Sequence, residues 1–404
     1  MVLVASVFAL ILMMVSDAVA ANINVVPTVR LEEGWNSNVF NTSTGEVSSF
    51  GTRLTPGLAL KFTSPDNVSL SISGDYEMLR YSGSEAKNAD SNTWFVRIDS
   101  TGAWALTPTF SMVPSVYYLN TTDSSRRSQL VPSGDPVLPP VTTTSYGNTN
   151  TENLGAGIRF NYDVTAKTSI GLSGNYSEQR FTDMNDNTAG SGLTNSTTVG
   201  AGASVSHRFS PRTDLGVGVT YSNLGYTGAQ DTNVLSVGIL FDYQFSPVLR
   251  IDGAFGVSHA SQGASPSLPA TSESAPSGLF NLSYTAEGFT ARVFGSAVYS
   301  GGSGYGETTR QWTAGLAFAD KFARDWSWDL TGSYQVSRSI FTTDAININT
   351  INGTAGLRYK PWELASIDLT GHMTRQTSDG QFGSTSDTYS AILGVTIGKP
   401  YRIY

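Results

Sequence analysis

Apolar and polar residues alternate along most of this chain with a period of two. Between Leu235 and Phe245 every odd position is apolar, and most even positions are small or polar. Because successive side chains of a β-strand point to opposite faces, this pattern predicts a strand with one apolar and one polar face. The alternation resumes after Ser246-Pro247, so residues 232–258 are predicted to form a hairpin.

Units of about 40 residues with this alternation recur to the end of the chain, and together they predict about 18 strands. A closed barrel in a membrane buries this many apolar faces and leaves the opposite faces in water. The fold class expected is therefore an all-β antiparallel transmembrane barrel. The predicted strands lie near 23–35, 54–62, 68–78, 92–105, 109–121, 154–162, 169–182, 195–209, 213–226, 232–245, 249–259, 277–286, 289–299, 307–320, 326–339, 347–360, 366–378 and 387–398.

The connections between the predicted strands alternate in length. Long connections rich in Ser, Thr, Asn and Gly separate short ones, as expected of an outer-membrane barrel with short periplasmic turns and long extracellular loops. A soluble propeller or solenoid shares the repeat length but has no reason to alternate its loops. The short turns are predicted at Ser64–Asn67, Leu106–Pro108, Thr165–Lys167, Ser210–Arg212, Ser246–Pro247, Ala286–Gly288, Ala323–Asp325 and Pro361–Leu364.

Aromatic residues concentrate at both ends of the predicted strands. Phe209, Phe245 and Trp362 lie beside short turns, while Trp94 and Tyr389 lie beside long loops. Such rings favour the two membrane interfaces, so they predict two aromatic girdles. The alternative explanation is the ordinary preference of aromatic residues for strands.

The composition narrows the function further. The chain has 404 residues and a formal net charge of −8, which argues against a nucleic-acid partner. It contains no cysteine, which excludes disulfides, thiolate metal sites and haem attachment. His207, His259 and His372 are far apart and accompany no nucleophile motif. We therefore expect no enzymatic activity, no metal site and no cofactor.

The first 20 residues predict a secretory signal peptide. Val2–Val15 is apolar but too short for a confident transmembrane helix, and Ala18-Val19-Ala20 is a small-x-small cleavage site. The alternative is an uncleaved anchor helix, which would need roughly 20 apolar residues. The predicted domains are a signal peptide at 1–20 and an outer-membrane barrel at 21–404.

Charged residues on the polar faces are the candidates for lining a pore. A barrel of this size encloses an aqueous channel, and charges of both signs suit a broadly hydrophilic pore. For any one residue, the alternative is a solvated wall position with no selectivity role. The candidates are Arg53, Lys61, Asp75, Glu77, Arg97, Asp99, Arg159, Asp163, Arg208, Asp242, Arg250, Asp252, Arg292, Asp329, Arg358 and Asp368.

The longest loop, residues 122–150, is a candidate constriction. It would present Arg126 and Arg127 to an anionic solute if it folded into the lumen. An ordinary extracellular loop is the alternative.

Short motifs carry a family resemblance. Leu31-Glu32-Glu33-Gly34-Trp35-Asn36-Ser37-Asn38-Val39-Phe40 and turns such as Phe209-Ser210-Pro211 resemble the β-barrel porins found beside exopolysaccharide genes in Gram-negative bacteria. The resemblance covers essentially the mature chain and implies a channel for polysaccharide or another solute. More loosely, the chain resembles the barrel sheaths of porin–cytochrome conduits.

The function expected is therefore a porin-like channel for polar solutes, with polysaccharide export as its narrower form. The alternative is a structural sheath or anchor for a partner such as an electron-transfer cytochrome. Expected partners are outer-membrane lipid, periplasmic export proteins or cytochromes, and the barrel insertion machinery. Tyr404 resembles the terminal aromatic residue that this machinery reads.

Overall fold

A computed structural model describes residues 22–63, 69–100, 104–122, 149–182, 193–264, 270–301, 304–342, 345–380 and 385–402. The predicted signal peptide, the turn at Ser64–Asn67 and Tyr404 lie outside this range. The described residues form strands and one short 3-10 turn, Lys87–Ala89. The strands are β1 Asn22–Asn36, β2 Ser49–Thr63, β3 Ser69–Tyr81, β4 Ser91–Ser100, β5 Trp104–Thr107, β6 Phe110–Thr121, β7 Asn150–Asp163, β8 Thr168–Thr182, β9 Ser196–Ser210, β10 Thr213–Tyr226, β11 Thr232–Ser246, β12 Leu249–Gln262, β13 Thr271–Thr285, β14 Phe289–Ser300, β15 Thr309–Asp320, β16 Trp326–Ser339, β17 Asn347–Trp362, β18 Ala365–Ser378, β19 Ser386–Gly398 and β20 Tyr401–Arg402.

These twenty segments form a closed barrel of 18 strands. β4 and β5 both pair with β6 and together occupy one strand position in the wall. β19 and β20 both pair with β1, and this ladder closes the barrel. Consecutive strands pair antiparallel because turns and loops connect them, and the closing pair of β1 with β19 is antiparallel because the number of strands is even. The predicted fold class and strand count are confirmed.

The outer face of the barrel is apolar. On β11, Val237 and Ile239 are 55% and 60% exposed, and on β10 their partners Val219 and Val217 point the same way. Side chains this apolar are stable on a surface only if hydrocarbon covers it. The barrel therefore has the exterior of a protein of the Gram-negative outer membrane.

Exposed aromatic side chains form a belt near each end of the barrel. Phe209, Phe245 and Trp362 lie at the end with short turns. Trp94 and Tyr389 lie at the end with long loops. This arrangement fits the two girdles expected from the sequence. No helix among the described residues is long and apolar enough to cross a membrane.

The predicted strand boundaries mostly agree with the structure, and the largest difference is at the start of β13. β13 begins at Thr271, six residues before the predicted start at 277. The segment Thr271–Pro276 is rich in polar residues and contains a proline, so the sequence favoured a loop. It is a strand because it pairs along its whole length with β12.

Candidate functional site

The polar faces of the strands enclose the lumen. Ser236, Ser258 and Ser277 occupy neighbouring positions on β11, β12 and β13, and their hydroxyls form a chain with Oγ–Oγ distances of 2.5 and 2.6 Å. Small hydroxylated residues leave room in the lumen and offer both donors and acceptors. This sector of the wall is therefore hydrophilic with few charges.

A buried chain of charges lies on the opposite wall, in the extracellular half of β1, β2 and β3. Arg30 Nη2 is 2.8 Å from Glu32 Oε1, and Glu32 Oε2 is 3.5 Å from Arg53 Nη1. Arg53 Nε is 3.1 Å from Glu77 Oε1, an ion pair without the geometry of a hydrogen bond. Glu32, Arg53 and Glu77 are 2%, 7% and 3% exposed. Arg53 thus compensates two buried carboxylates.

A second set of charges lies near the periplasmic turns. Arg208 Nε is 3.1 Å from Asp214 Oδ1, and Arg250 and Arg358 form ion pairs with Asp242 and Asp368. The three arginine side chains are more than half exposed. Arg292 is exposed near the same end, with its guanidinium 5.3 Å from the ring of Phe294. The periplasmic mouth therefore presents charges of both signs to solvent.

These two sets of ion pairs should respond differently to mutation. Replacing Arg250 with alanine is expected to change the free energy of unfolding by less than about 1 kcal/mol, because exposed pairs contribute little. The same variant should shift the reversal potential of the open channel in the direction of higher cation selectivity, since Asp242 loses the positive charge of Arg250. Chemical unfolding and bilayer recordings across a salt gradient would check both expectations. A large loss of stability would contradict the picture of an exposed mouth.

The register places those predicted lining residues whose side chains are described on the inward faces of their strands. Pore lining remains a prediction as a function for each of them. Asp75 and Arg97 lie on β3 and β4 near the buried chain, and Arg159 lies on β7. Asp252 accepts a hydrogen bond from Asn281, and Asp329 faces the lumen opposite Gly356. The side chain of Asp99 and the loop residues Arg126 and Arg127 lie outside the described range.

A segment not singled out from the sequence extends across the lumen. Residues 304–308, here called the crossing segment, precede β15 and contact strands that are not its neighbours in the wall. Thr308 Oγ1 is 2.9 Å from Tyr226 Oη and 2.7 Å from Thr232 Oγ1. The amide of Thr194 donates to the carbonyl of Gly304 at 2.6 Å. The crossing segment is thus held to β10, β11 and the residues before β9.

Tyr305 is the apolar centre of this crossing. Its side chain packs with Phe181 of β8 and with Ile346 and Ile348 at the start of β17, and Leu193 packs against the cluster. In a barrel of 18 strands, β8 and β17 lie on opposite sides. The cluster therefore bridges the lumen near its extracellular end, where a hydrophobic constriction impedes water and ions.

Residues 340–342 and 345–346 reinforce the crossing segment. The amide of Ile340 donates to the carbonyl of Thr308 at 3.3 Å, and the hydroxyl of Thr342 donates to the carboxylate of Glu307. Ile340 and Phe341 pack against a buried cluster formed by Leu224, Tyr226, Val234 and Ala260. The two segments support each other inside the extracellular half of the barrel.

Glu307 makes the crossing segment sensitive to pH. Burial raises the pKa of its carboxyl above the ordinary value, although hydrogen bonds from Thr342 and Ser339 act in the other direction. A raised pKa means that the packed segment favours the protonated acid. The stabilisation that the protonated carboxyl of Glu307 gives to the packed segment is fully present below the ordinary pKa. It is lost as the pH rises through the raised pKa.

The conductance of the barrel is therefore expected to rise as the pH increases through the raised pKa of Glu307. Single-channel recordings at stepped pH would measure this rise. Glu307→Gln should keep the low-pH conductance throughout, because its amide does not ionise. The same pH profile in both proteins would contradict a role for Glu307.

The three histidines lie apart from one another in the barrel wall. His207 and His259 are on outward-facing positions and contact Thr168 and Ser274. His372 faces the lumen, with its ring nitrogens 3.1 Å from Thr354 Oγ1 and 2.9 Å from Thr374 Oγ1. No cluster of metal-binding side chains occurs among the described residues.

Two cavities follow the inner wall. One cavity has a volume of about 660 Å³ and is bounded mainly by β7 to β14. Most of its lining residues are Ser, Thr, Asn and Gly, and the lining also includes Leu240 and Leu279. The other, of about 630 Å³, lies beside β1 to β4 and β17 to β19 and is lined by Arg30, Asp75 and Arg358 among other residues. Each has room for a small solute.

A closed barrel of 18 strands with an apolar exterior and a polar, charged interior defines the porin-like class of outer-membrane proteins. No protein-family model and no curated protein matches the sequence. Among solved structures, OccAB4 of Acinetobacter baumannii is similar over 94% of this chain and 98% of its own, with 8% identity and a TM-score of 0.44. OpdL of Pseudomonas aeruginosa is similar over 95% and 99%, with 8% identity and a TM-score of 0.45. OpdK of Pseudomonas aeruginosa, solved with vanillate, is similar over 95% and 99%, with 10% identity and a TM-score of 0.45.

Proposed function

We propose that this barrel is a channel through which small polar solutes cross the outer membrane. The observation that carries the proposal is the contrast between its two faces. The outer face is apolar, while the inner face presents hydroxyls, amides and paired charges along cavities of about 660 and 630 Å³.

The inner wall lowers the cost of crossing the membrane. A polar solute that enters hydrocarbon loses its hydrogen bonds to water, at a cost of several kcal/mol for each unpaired group. Hydroxyl chains such as Ser236–Ser258–Ser277 and the charges at the periplasmic mouth replace those bonds. The crossing segment limits the size of the solute that passes.

Single-channel recording of the refolded mature chain in a planar bilayer tests this function. Discrete and stable conductance steps are expected. A well-folded barrel that stays silent at every pH would overturn the proposal. Deletion of residues 126–145 in the same assay tests the narrower proposal that Arg126 and Arg127 belong to a constriction, for which the conductance should increase.

Export of an exopolysaccharide is a more specific form of the same function. The wall rich in hydroxyls and amides from β8 to β13 supports it, because such groups hydrogen-bond to sugars. A polymer needs a continuous bore, so the crossing segment would have to move aside. Liposome swelling with oligosaccharides of increasing length, in the native protein and in Tyr305→Ala, would test this form. Exclusion of short oligosaccharides by both proteins would overturn it.

A structural sheath around an electron-carrying partner remains the alternative. It would need the space that Tyr305, Phe181 and Ile348 occupy in the structure. Co-purification of a haem protein, together with no conductance after its removal, would favour the sheath over the channel.

A further inference from the structure

The wall of the barrel is incomplete between β13 and β14. Their Cα partners run from Gly278–Ala297 to Thr285–Thr290 and stop there. The residues Thr271–Ser277 pair with β12 on one side. On the other side, where the structure describes both strands, Ser274–Ser277 have no Cα partners on β14. This discontinuity, here called the seam, lies in the extracellular half of the wall.

Side chains rather than a backbone ladder span the seam. Arg310 Nη2 donates to the carbonyl of Pro276 at 3.2 Å, and Tyr299 Oη donates to Glu273 Oε1 at 3.4 Å. Pro276 has no backbone N–H, so it cannot donate to a ladder. Opening the seam would therefore break a few side-chain contacts, whereas opening any complete ladder would break a row of backbone hydrogen bonds.

An apolar patch lies on the lumen wall at the base of the seam. Leu240, Ala254 and Leu279 are aligned across β11, β12 and β13, and the partner of Leu279 on β14 is Ser296, between Phe294 and Val298. Leu279 is 47% exposed although it faces the lumen. Most apolar side chains with this much exposure point outward, so the patch departs from the polar character of the wall.

The patch and the seam belong to one cavity. The cavity of about 660 Å³ is lined by Leu240, Ala254 and Leu279, and also by Val298 and Tyr299 on the other side of the seam. Ser258 and Ser277 line the same cavity and carry hydroxyls. The site thus combines an apolar floor, polar groups and an adjacent break in the wall that faces the lipid.

We propose that this cavity binds a single-chain amphiphile and that the seam is its lateral route to the outer leaflet. The hydrocarbon chain lies on Leu279 and its neighbours, while the polar head stays among the serine hydroxyls. This function goes beyond the passage of small polar solutes along the barrel axis. It requires no conductance, so it can hold or fail independently of the channel.

Binding of 11-(dansylamino)undecanoic acid to the folded barrel tests the site. Leu279→Asn is expected to weaken this binding roughly tenfold, because it removes apolar surface that the chain would cover. The matched control is Ile392→Asn, which removes a half-buried isoleucine from the lumen face of β19, where both ladders are complete. Equal weakening in both variants, or no saturable binding to the native protein, would overturn the proposal.

Lateral access is tested separately, and the absence of cysteine from the chain makes the test simple. Leu279→Cys and Ile392→Cys barrels would be placed in bilayers that contain a phospholipid with a maleimide at the end of its acyl chain. A water-soluble maleimide added in parallel reports access from the lumen. The lipid reagent is expected to label Leu279→Cys at least several-fold faster than Ile392→Cys, after each rate is divided by the rate of the water-soluble maleimide. Equal rates would overturn the lateral route.

Discussion

Replacing Tyr305 with alanine is expected to raise the single-channel conductance of the refolded barrel roughly twofold or more, because a hydrophobic constriction restricts the passage of water and ions. Tyr305 joins Phe181 on one side of the lumen to Ile346 and Ile348 on the other. Without the phenol ring this bridge is lost, and the hydrogen bonds of the crossing segment at Thr308 and Gly304 remain. Conductance in a planar bilayer at fixed pH and salt measures the effect.

The control for this variant is Tyr334→Ala. Tyr334 is an exposed tyrosine on the outer face of β16, so its removal should leave the conductance unchanged. A matching increase in both variants would indicate a general loosening of the barrel. No increase in Tyr305→Ala would show that the narrowest point lies elsewhere, for example in residues 122–150.

Replacing Arg53 with methionine is expected to destabilise the barrel by about 3–5 kcal/mol, because it leaves uncompensated charge in a buried site. Glu32 and Glu77 are almost completely buried and both form ion pairs with Arg53. The substitution removes Arg53 from both carboxylates, while Arg30 still pairs with Glu32. Unfolding by denaturant, in detergent micelles of fixed composition, measures the loss.

Neutral replacements of the two glutamates should restore most of the stability that Arg53→Met loses. Adding Glu32→Gln and Glu77→Gln to Arg53→Met removes the buried charges together, and replacing a complete buried charge set is often nearly neutral. Arg250→Met in the exposed pair serves as the matched control and should cost less than about 1 kcal/mol. Equal losses in the Arg53 and Arg250 variants would refute the distinction between the buried and exposed charges.

Much of the fold could be predicted because a barrel wall is a local pattern. Each strand alternates on its own, as Leu235 to Phe245 do, and each short turn is marked by its own residues. The strand count therefore needed no knowledge of which strands pair. β13 was the exception, since Thr271–Pro276 shows no alternation and is a strand only through its neighbour β12.

The site could be predicted less well because it depends on contacts between distant segments. Alternation places Arg53 and Glu77 on the inner face, but only the register brings Arg53 to both Glu32 and Glu77. Glu32 and Arg30 were not among the predicted lining residues. The predicted strands 289–299 and 307–320 place Tyr305 in a connection, and nothing in their alternation indicates that this connection enters the lumen. A signal was present, since Tyr305 is a single large aromatic residue between Gly304 and Gly306, which have φ values of 78° and 71°. Such glycines allow a tight path through a confined space.

The closing ladder between β1 and β19 constrains how the barrel can fold. It joins Trp35 to Ala391 and thus strands from opposite ends of the described sequence. Local hairpins can form early, but this contact requires the largest loop closure in the chain and should form late. Until then β1 exposes an unpaired edge, which is a template for pairing with other chains. Barrel closure is therefore the step at which assembly competes most directly with aggregation.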